Sequence, residues 1–392
     1  MSIGRFLREH IQAPIMAHLL SQTRLEKKRQ RIEKQRLRQK KPHEVLFFHD
    51  PSDPHSHLLA SVMPKFEARY DVKLTQLHIS PPTRAAAPEK EMRQQYHAKD
   101  SLILAAKAGI NFNLAACDTS PARLDTSKAD ARLAQLGHYQ GAMLYYGGEW
   151  YWGLDRLHYL EARLNSLGLS TQKPNTAEDY IFSPPEILLE KPSAQVPIGT
   201  KIDFYLSFRS PYTAIVAPRI KALADAYGAQ LNLRFVLPMV MRGLPVPPSK
   251  KWYILTDVAR EAHRQGQEFG RIFDPVGRPV EKGYALLPYA RAKGRGYDYI
   301  DAFLKLVWSQ GVNAGSRNGQ RKIIETAGLD WAEACQYLDN EDWRSEAEAN
   351  RQEMMALGSW GVPSFKIGET MCWGQDRLWQ VEDELKKLVS TS

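Results

Sequence analysis

Two short apolar runs in this chain are each followed by the same rhythm of polar and apolar positions. The first, "EVLFFHD" from Glu44, leads through a Pro/Asp/His/Ser turn into the helical pattern "HLLASVMPKFEARYDVKL". The second, "KIDFYLSFRS" from Lys201, leads into "PYTAIVAPRIKALADAYGAQLNLRFV". Each predicts a strand, a sharp turn, a helix and a second strand, which is the pattern of a βαβ unit. Phe47 aligns with Phe204, Pro54 with Pro211 and Leu58 with Ile215. Further on, "GHYQGAMLYYGGEWYWGLDRL" from Gly137 aligns without a gap on "GSWGVPSFKIGETMCWGQDRL" from Gly358. The overlapping phrases "YWGLDRLHYLEARL" and "CWGQDRLWQVEDEL" share seven of fourteen residues, where average residue usage would give roughly one. Both predict a turn, a strand, a Gly-centred hairpin, a strand and a closing helix. Leu378, Val381, Leu385 and Leu388 form the buried stripe of the second closing helix.

Helical stretches separate these framing elements, over Glu89–Leu136 in the first copy and Lys250–Leu357 in the second. The longer second insertion lengthens the repeat offset from 157 residues early to 221 late. A parallel βαβ unit joined to an antiparallel hairpin and closing helix, interrupted by helices, describes a thioredoxin-like α/β domain. The expected architecture is two such domains in tandem, at 42–170 and 200–392, with a Pro-rich linker at 171–199 and a basic arm at 1–41.

A length of 392 residues with 43% hydrophobic and 25% charged residues suits two globular domains, each able to bury a core. The net charge of +9 suggests a nucleic-acid partner until its distribution is read. Of 53 Lys/Arg and 44 Asp/Glu, 12 and 3 lie in residues 1–41, leaving 41 of each sign elsewhere. The basicity belongs to the arm. Ile3, Phe6, Leu7, Ile11, Ile15, Met16, Leu19 and Leu20 recur mostly at helical spacing, and Pro14 is expected to bend or split that helix. The polar "RLEKKRQRIEKQRLRQKK" follows. The arm reads as a solvated helix or disordered segment docking its apolar start, or alternatively as a tether to an anionic surface. No aromatic residue follows Phe6 in it, so stacking on bases has no platform and no specific nucleic acid is expected. Cys117, Cys335 and Cys372 form no CxxC pair or zinc spacing, and no apolar run approaches a membrane span. A cytoplasmic protein is expected.

The chemistry gathers in the second half. Ser210-Pro211-Tyr212 lies where strand gives way to helix, and a helix start offers unpaired N–H groups that stabilise an anion such as a thiolate. A thioredoxin-type nucleophilic Cys would stand here; a Ser can instead donate a hydrogen bond to a thiolate carried by a cofactor. Simple N-capping by Ser210 is the bland alternative. Gly361-Val362-Pro363 falls at the position of the thioredoxin-fold cis-proline, where backbone groups pair with an extended ligand, or else is an ordinary turn. Gln375-Asp376-Arg377 opens the last helix, where Asp376 either caps the helix or holds an ammonium group beside a carboxylate at the helix end.

Together, "DFYLSFRSPYTAIVAPRIKALADAYG", "KKWYILTDVAREA" and "GSWGVPSFKIGETMCWGQDRLWQVEDEL" resemble the 2-hydroxychromene-2-carboxylate isomerase and kappa-class glutathione transferase family, a DsbA-like thioredoxin branch, over residues 201–388. The resemblance implies a glutathione site. It implies that Ser210 hydrogen-bonds the glutathione sulfur, that Val362, before Pro363, pairs its backbone with the cysteinyl part, and that Gln375 and Asp376 bind the γ-glutamyl end. Lys250, with Lys251 beside it, maps to the Lys that reaches the glycyl end or the substrate. Ser207 stands where many isomerases carry Asp, and Arg209 replaces an apolar residue, so the chain departs from the family's pattern beside the site.

In the first half Asp53 stands at the Ser210 position and Ala142 at the Pro363 position. A carboxylate there opposes a thiolate, so a pseudo-domain is expected, packing on its partner as a pseudo-dimer within one chain. His49, Asp50, Asp53, His55 and His57 cluster and raise metal binding as an alternative, although no metal is expected. The favoured activity is a glutathione-dependent isomerase or transferase acting on an electrophilic, aromatic or conjugated small molecule, with Tyr212, Trp252 and Tyr253 as pocket aromatics. A non-catalytic DsbA-like binding protein is the alternative. A thiol–disulfide oxidoreductase is disfavoured by the lack of Cys at 207–213.

Overall fold

The computed structural model describes residues 11–117, 125–172, 179–187, 189, 192 and 194–390. The described chain opens with helices α1 (Ala13–Leu19) and α2 (Gln22–Arg38). A first sheet follows, built from β1 (Glu44–His49), β2 (Lys73–His78), β3 (Met143–Tyr146) and β4 (Glu149–Trp152). Its helices are α3 (Pro54–Arg69), α4 (Lys90–Lys107), α5 (Ser127–Gln135) and α6 (Leu157–Ser166). The second sheet holds β5 (Lys201–Leu206), β6 (Gln230–Phe235), β7 (Ser364–Ile367) and β8 (Thr370–Trp373). Helix α7 (Pro211–Tyr227) joins β5 to β6. The insertion comprises α8 (Pro248–Arg264), α9 (Arg278–Ala292), α10 (Gly296–Trp308), α11 (Arg317–Thr326), α12 (Trp331–Ala334) and α13 (Trp343–Ala356), and α14 (Leu378–Ser390) closes the chain.

The two sheets have the same strand order, β2-β1-β3-β4 and β6-β5-β7-β8. In each, the first two strands are parallel and the hairpin antiparallel, and Met143 faces Trp152 as Ser364 faces Trp373. The strands β1 and β5 are almost wholly buried, which is why both read as apolar runs. Both connecting helices start with Pro at the first position, where a missing N–H costs nothing.

The chain divides into two compact units. One takes the described residues of Leu25–Pro185 and Val246–Tyr253; the other takes those of Met1–Arg24, Glu186–Pro245 and Ile254–Ser392. Helix α8 therefore gives its first residues to the unit of the first sheet and the rest to the other.

Pro14 lies at the start of α1, directly after a π-helical turn at residues 11–12, and a second break separates α1 from α2 at residues 20–21. The first helical insertion includes α4 and α5. Ile3, Phe6 and Leu7 of the arm, and 173–178, 188, 190, 191 and 193 of the linker, lie outside the described residues. The polar α2 buries none of its residues but is fastened by charge: Lys28 Nζ donates to Gly148 O at 2.6 Å, and the Arg29 fork donates to both oxygens of Glu149 at 2.8 Å. Among the described residues no helix is long and apolar enough to cross a membrane.

The insertion matters because it holds the loop after β5. Phe208 stacks on Phe303 with ring centroids 4.0 Å apart, its N–H donates to Tyr284 Oη at 3.3 Å, and its carbonyl accepts from Trp308 Nε1 at 3.1 Å. Gly283 lies under this stack; a Cβ there would come within 2.7 Å of the Phe303 ring and 2.9 Å of the Phe208 ring. Neither buried ring has room to retreat. Gly283→Ala should lower stability by about 1–3 kcal/mol in urea unfolding, the range for an overpacked core. An unchanged midpoint would contradict this packing.

Candidate functional site

The backbone leaves β5 at Leu206, turns with Ser210 N–H donating to Ser207 O at 3.0 Å, and enters α7. Ser210 is the N-cap: its backbone is extended and its Oγ accepts from Thr213 N–H at 3.1 Å. Arg209 is drawn aside by a two-pronged ion pair with Asp274, at 2.8 and 2.9 Å. The Ser210 hydroxyl hydrogen is directed at Val362 O, 3.4 Å away, a long contact. The Val362–Pro363 peptide is cis, and Pro363 O accepts from Gly374 N–H at 2.9 Å, tying this turn to the start of the closing helix. Tyr212 Oη donates to Asp257 at 2.7 Å, linking α7 to α8, so this ring is engaged in structure.

Gln375 lies at that closing start and is almost fully buried. Its Nε2 donates to Glu261 at 2.9 Å and also to Asp376. Its Oε1 accepts from Arg219 at 3.0 Å and from Gln265 at 3.1 Å. Both amide hydrogens and both lone-pair directions are thus taken, and Gln375 holds Asp376 in place. Sequence reasoning missed Arg219, Glu261 and Gln265. A signal for Arg219 existed: it is a cation flanked by the buried Val216, Ala217, Ile220 and Leu223 of α7.

Ser210, Val362, Pro363, Gln375 and Asp376 all belong to one compact unit; Lys250 belongs to the other. Lys250 Nζ donates to Ala86 O at 2.7 Å and lies 5.8 Å from the Tyr139 ring centre. Burial, then the charge of Arg93, pushes its pKa down to about 8. Trp252 and Tyr253 lie in the same unit as Lys250, and Tyr253 packs edge-on to His138 at 4.8 Å.

Residues 201–386 match the family model of the DSBA-like thioredoxin domain. Curated relatives of the chain are 2-hydroxychromene-2-carboxylate isomerases. That of Pseudomonas putida is 24% identical over 195 residues, covering 48% of this chain and 95% of the relative. That of Sphingobium xenophagum is 23% identical over 185 residues, covering 45% and 93%. A solved structure of a selenomethionine 2-hydroxychromene-2-carboxylate isomerase superposes with a TM-score of 0.41 at 23% identity, covering 48% of this chain and 95% of that one.

The first half handles the position equivalent to Ser210 differently from the DSBA-like domain. Asp53 caps α3, accepting from Ser56 N–H at 3.2 Å, and His97 Nδ1 lies 2.8 Å from its other oxygen. Burial opposes the Asp53 charge, but the hydrogen bond and charge of His97 prevail and hold its pKa well below the usual carboxylate range. Burial holds His97 itself below its ordinary value, against the hydrogen bond and charge of Asp53. At the Pro363 position Ala142 has φ +54, a left-handed conformation, and its N–H donates to Ser56 Oγ at 2.7 Å. Among the described residues no three His, Cys, Asp or Glu side chains are grouped to hold a metal. They pair instead: His55 with Asp100 at 3.2 Å, Asp50 with Ser52 at 2.7 Å, and His57 with the Pro51 carbonyl at 2.8 Å.

His49, at the end of β1, is packed edge-on to His57 and His78. Burial first, then those two rings, pushes its pKa from 6.5 down to about 4. Between these values the unfolded chain binds a proton that the folded chain excludes, so this contribution to stability is lost as pH falls from 6.5 to 4. Measured by urea unfolding, wild type should lose stability relative to His49→Gln across that window, with the difference level above pH 7 and below pH 4. A difference that does not vary with pH would refute the buried neutral imidazole.

Proposed function

We propose that the DSBA-like domain binds glutathione and that the protein is a glutathione-dependent isomerase or transferase for an electrophilic, aromatic or conjugated small molecule. The observation that carries this reading is the hydroxyl of Ser210: it caps α7 where a thioredoxin-type enzyme would need a thiol, with its hydrogen on a long contact to Val362 O. That hydrogen costs little to redirect. Turned to a cofactor sulfur, it joins the unpaired N–H groups of the helix start in stabilising a thiolate. The names of the curated relatives agree with an isomerase.

Bound there, glutathione would supply a nucleophilic thiolate, suited to reversible addition to a conjugated system in an isomerase or to conjugate formation in a transferase. Val362 would pair its backbone with the cysteinyl part of the cofactor, beside Pro363, and Asp376 would face the γ-glutamyl ammonium, held by Gln375. Lys250, with its Nζ donated to Ala86 O, is given no role in this reading.

Calorimetric titration of glutathione into wild type and Ser210→Ala, with the ultraviolet absorbance of the bound thiolate followed against pH, tests the reading. A hydrogen bond to a charged group contributes about 1.5–3 kcal/mol, or about one to two pKa units at 1.36 kcal/mol per unit. The bound thiol should titrate below free glutathione in wild type, and Ser210→Ala should raise it by that amount. Absence of glutathione binding to wild type would turn the reading toward a non-catalytic binding protein.

A further inference from the structure

Arg219 sits on an apolar helix without a counter-ion. Val216, Ala217, Ile220, Leu223 and Ala224 of α7 are buried in the core, and Arg219 emerges among them partly shielded from water. A guanidinium carries five N–H donors in a rigid fork suited to carboxylates. Among the described residues Arg219 makes one hydrogen bond, to the neutral Gln375 amide oxygen at 3.0 Å, and no carboxylate pairs with it. Its neighbours are treated otherwise: Arg209 pairs with Asp274, Arg260 with Asp257 and Arg264 with Glu186. Burial and the charge of Arg264 both press its pKa down, more than the distant carboxylates of Asp376, Glu261 and Glu186 raise it. Gln375 cannot supply the missing charge, because its amide is neutral and fully engaged.

The repeat supplies an internal control. In the first half the residue at the Arg219 position is Val62 and that at the Gln375 position is Leu154, and both are buried in one apolar core. The fold is therefore complete without a cation or an amide at these places. The Arg219–Gln375 pair is present only in the half that carries Ser210.

We propose that Arg219 binds the α-carboxylate of the γ-glutamyl end of glutathione, while Asp376 takes the neighbouring ammonium, so that the domain reads the amino-acid zwitterion as a pair. The proposal rests on the glutathione reading above. Its geometry is consistent with the cofactor's length. Arg219 is nine residues beyond Ser210, about 13 Å along the helix at 1.5 Å per residue, and a three-residue extended peptide spans about 10 Å. The long arginine side chain covers the remainder. A charge-assisted, two-pronged contact makes the carboxylate a determinant of selection as well as of affinity.

The test uses three ligands on the full chain: glutathione, 4-aminobutyryl-Cys-Gly, which lacks the carboxylate, and glutaryl-Cys-Gly, which lacks the ammonium. Wild type should bind the decarboxylated analogue about ten- to a hundredfold more weakly than glutathione, the range for a charge-assisted contact. Arg219→Ala should weaken glutathione by the same factor and bind the two ligands alike, with the thiol pKa at Ser210 unchanged. Arg219→Lys should restore part of the preference, while the penalty for glutaryl-Cys-Gly should persist in both variants. If wild type binds glutathione and the decarboxylated analogue equally, the proposal falls whether or not Arg219→Ala folds. If Arg219→Ala keeps the wild-type preference, it falls as well. If wild type binds none of the three, the glutathione reading has failed and takes this proposal with it.

Discussion

The central constraint on both halves is where their first helix begins. A parallel βαβ unit brings a helix N-terminus to the end of a buried central strand, so several unpaired N–H groups converge at one point that must be capped. The DSBA-like domain caps it with Ser210, whose oxygen takes the Thr213 N–H and whose hydrogen remains on a long, weak contact. The first half caps it with Asp53, a permanent negative charge that is matched by His97 and reinforced by Ser56. A neutral cap leaves the positive end of the helix available to an anion that arrives later. A charged cap has already used it. The two halves thus differ in the charge of the cap at the same point of the fold.

The same contrast recurs about two and a half turns further along this helix. Val62 and Leu154 close the first half with hydrocarbon, whereas Arg219 and Gln375 place polar groups at the corresponding points. Polar groups in such places are costly unless every donor and acceptor is paired. Gln375 meets that requirement through four partners: Arg219 on α7, Glu261 on α8, Gln265 just beyond it and the adjacent Asp376. This satisfied amide fixes the orientation of Asp376 and of one edge of Arg219 together. Gln375, expected to bind the γ-glutamyl end, has its amide engaged within the protein.

Much of this was legible in the chain itself. The repeat could be read because buried strands and hairpins depend on local patterning, and the matching registers of β1/β2 and β5/β6 follow from it. The cap positions were readable for the same reason, since Ser210-Pro211 and Asp53-Pro54 are local signals. What escaped depends on contacts between distant segments. Lys250 looked like a member of the second half because it follows β6, but residues 246–253 join the other unit. His97 was invisible as the partner of Asp53, lying 44 residues away on a helix with no motif around it.

The first half is best understood by asking which of its groups are still available. The Ala142 amide, at the position where the DSBA-like domain has a proline, is consumed by Ser56 Oγ, and the same hydroxyl donates to Asp53. Gly141 lies so close that a Cβ would fall 2.5 Å from that of Asp50. The turn that would accompany an extended ligand is instead packed against the strand end and locked to the helix start. Restoring a serine at position 53 would therefore not restore a site: it would remove the carboxylate that His97 and Ser56 are arranged around, with the backbone still closed over the position. The half that carries Ser210 keeps its cap hydroxyl loosely held and an arginine short of an anion, and these two departures from internal satisfaction lie on the same helix, about two and a half turns apart.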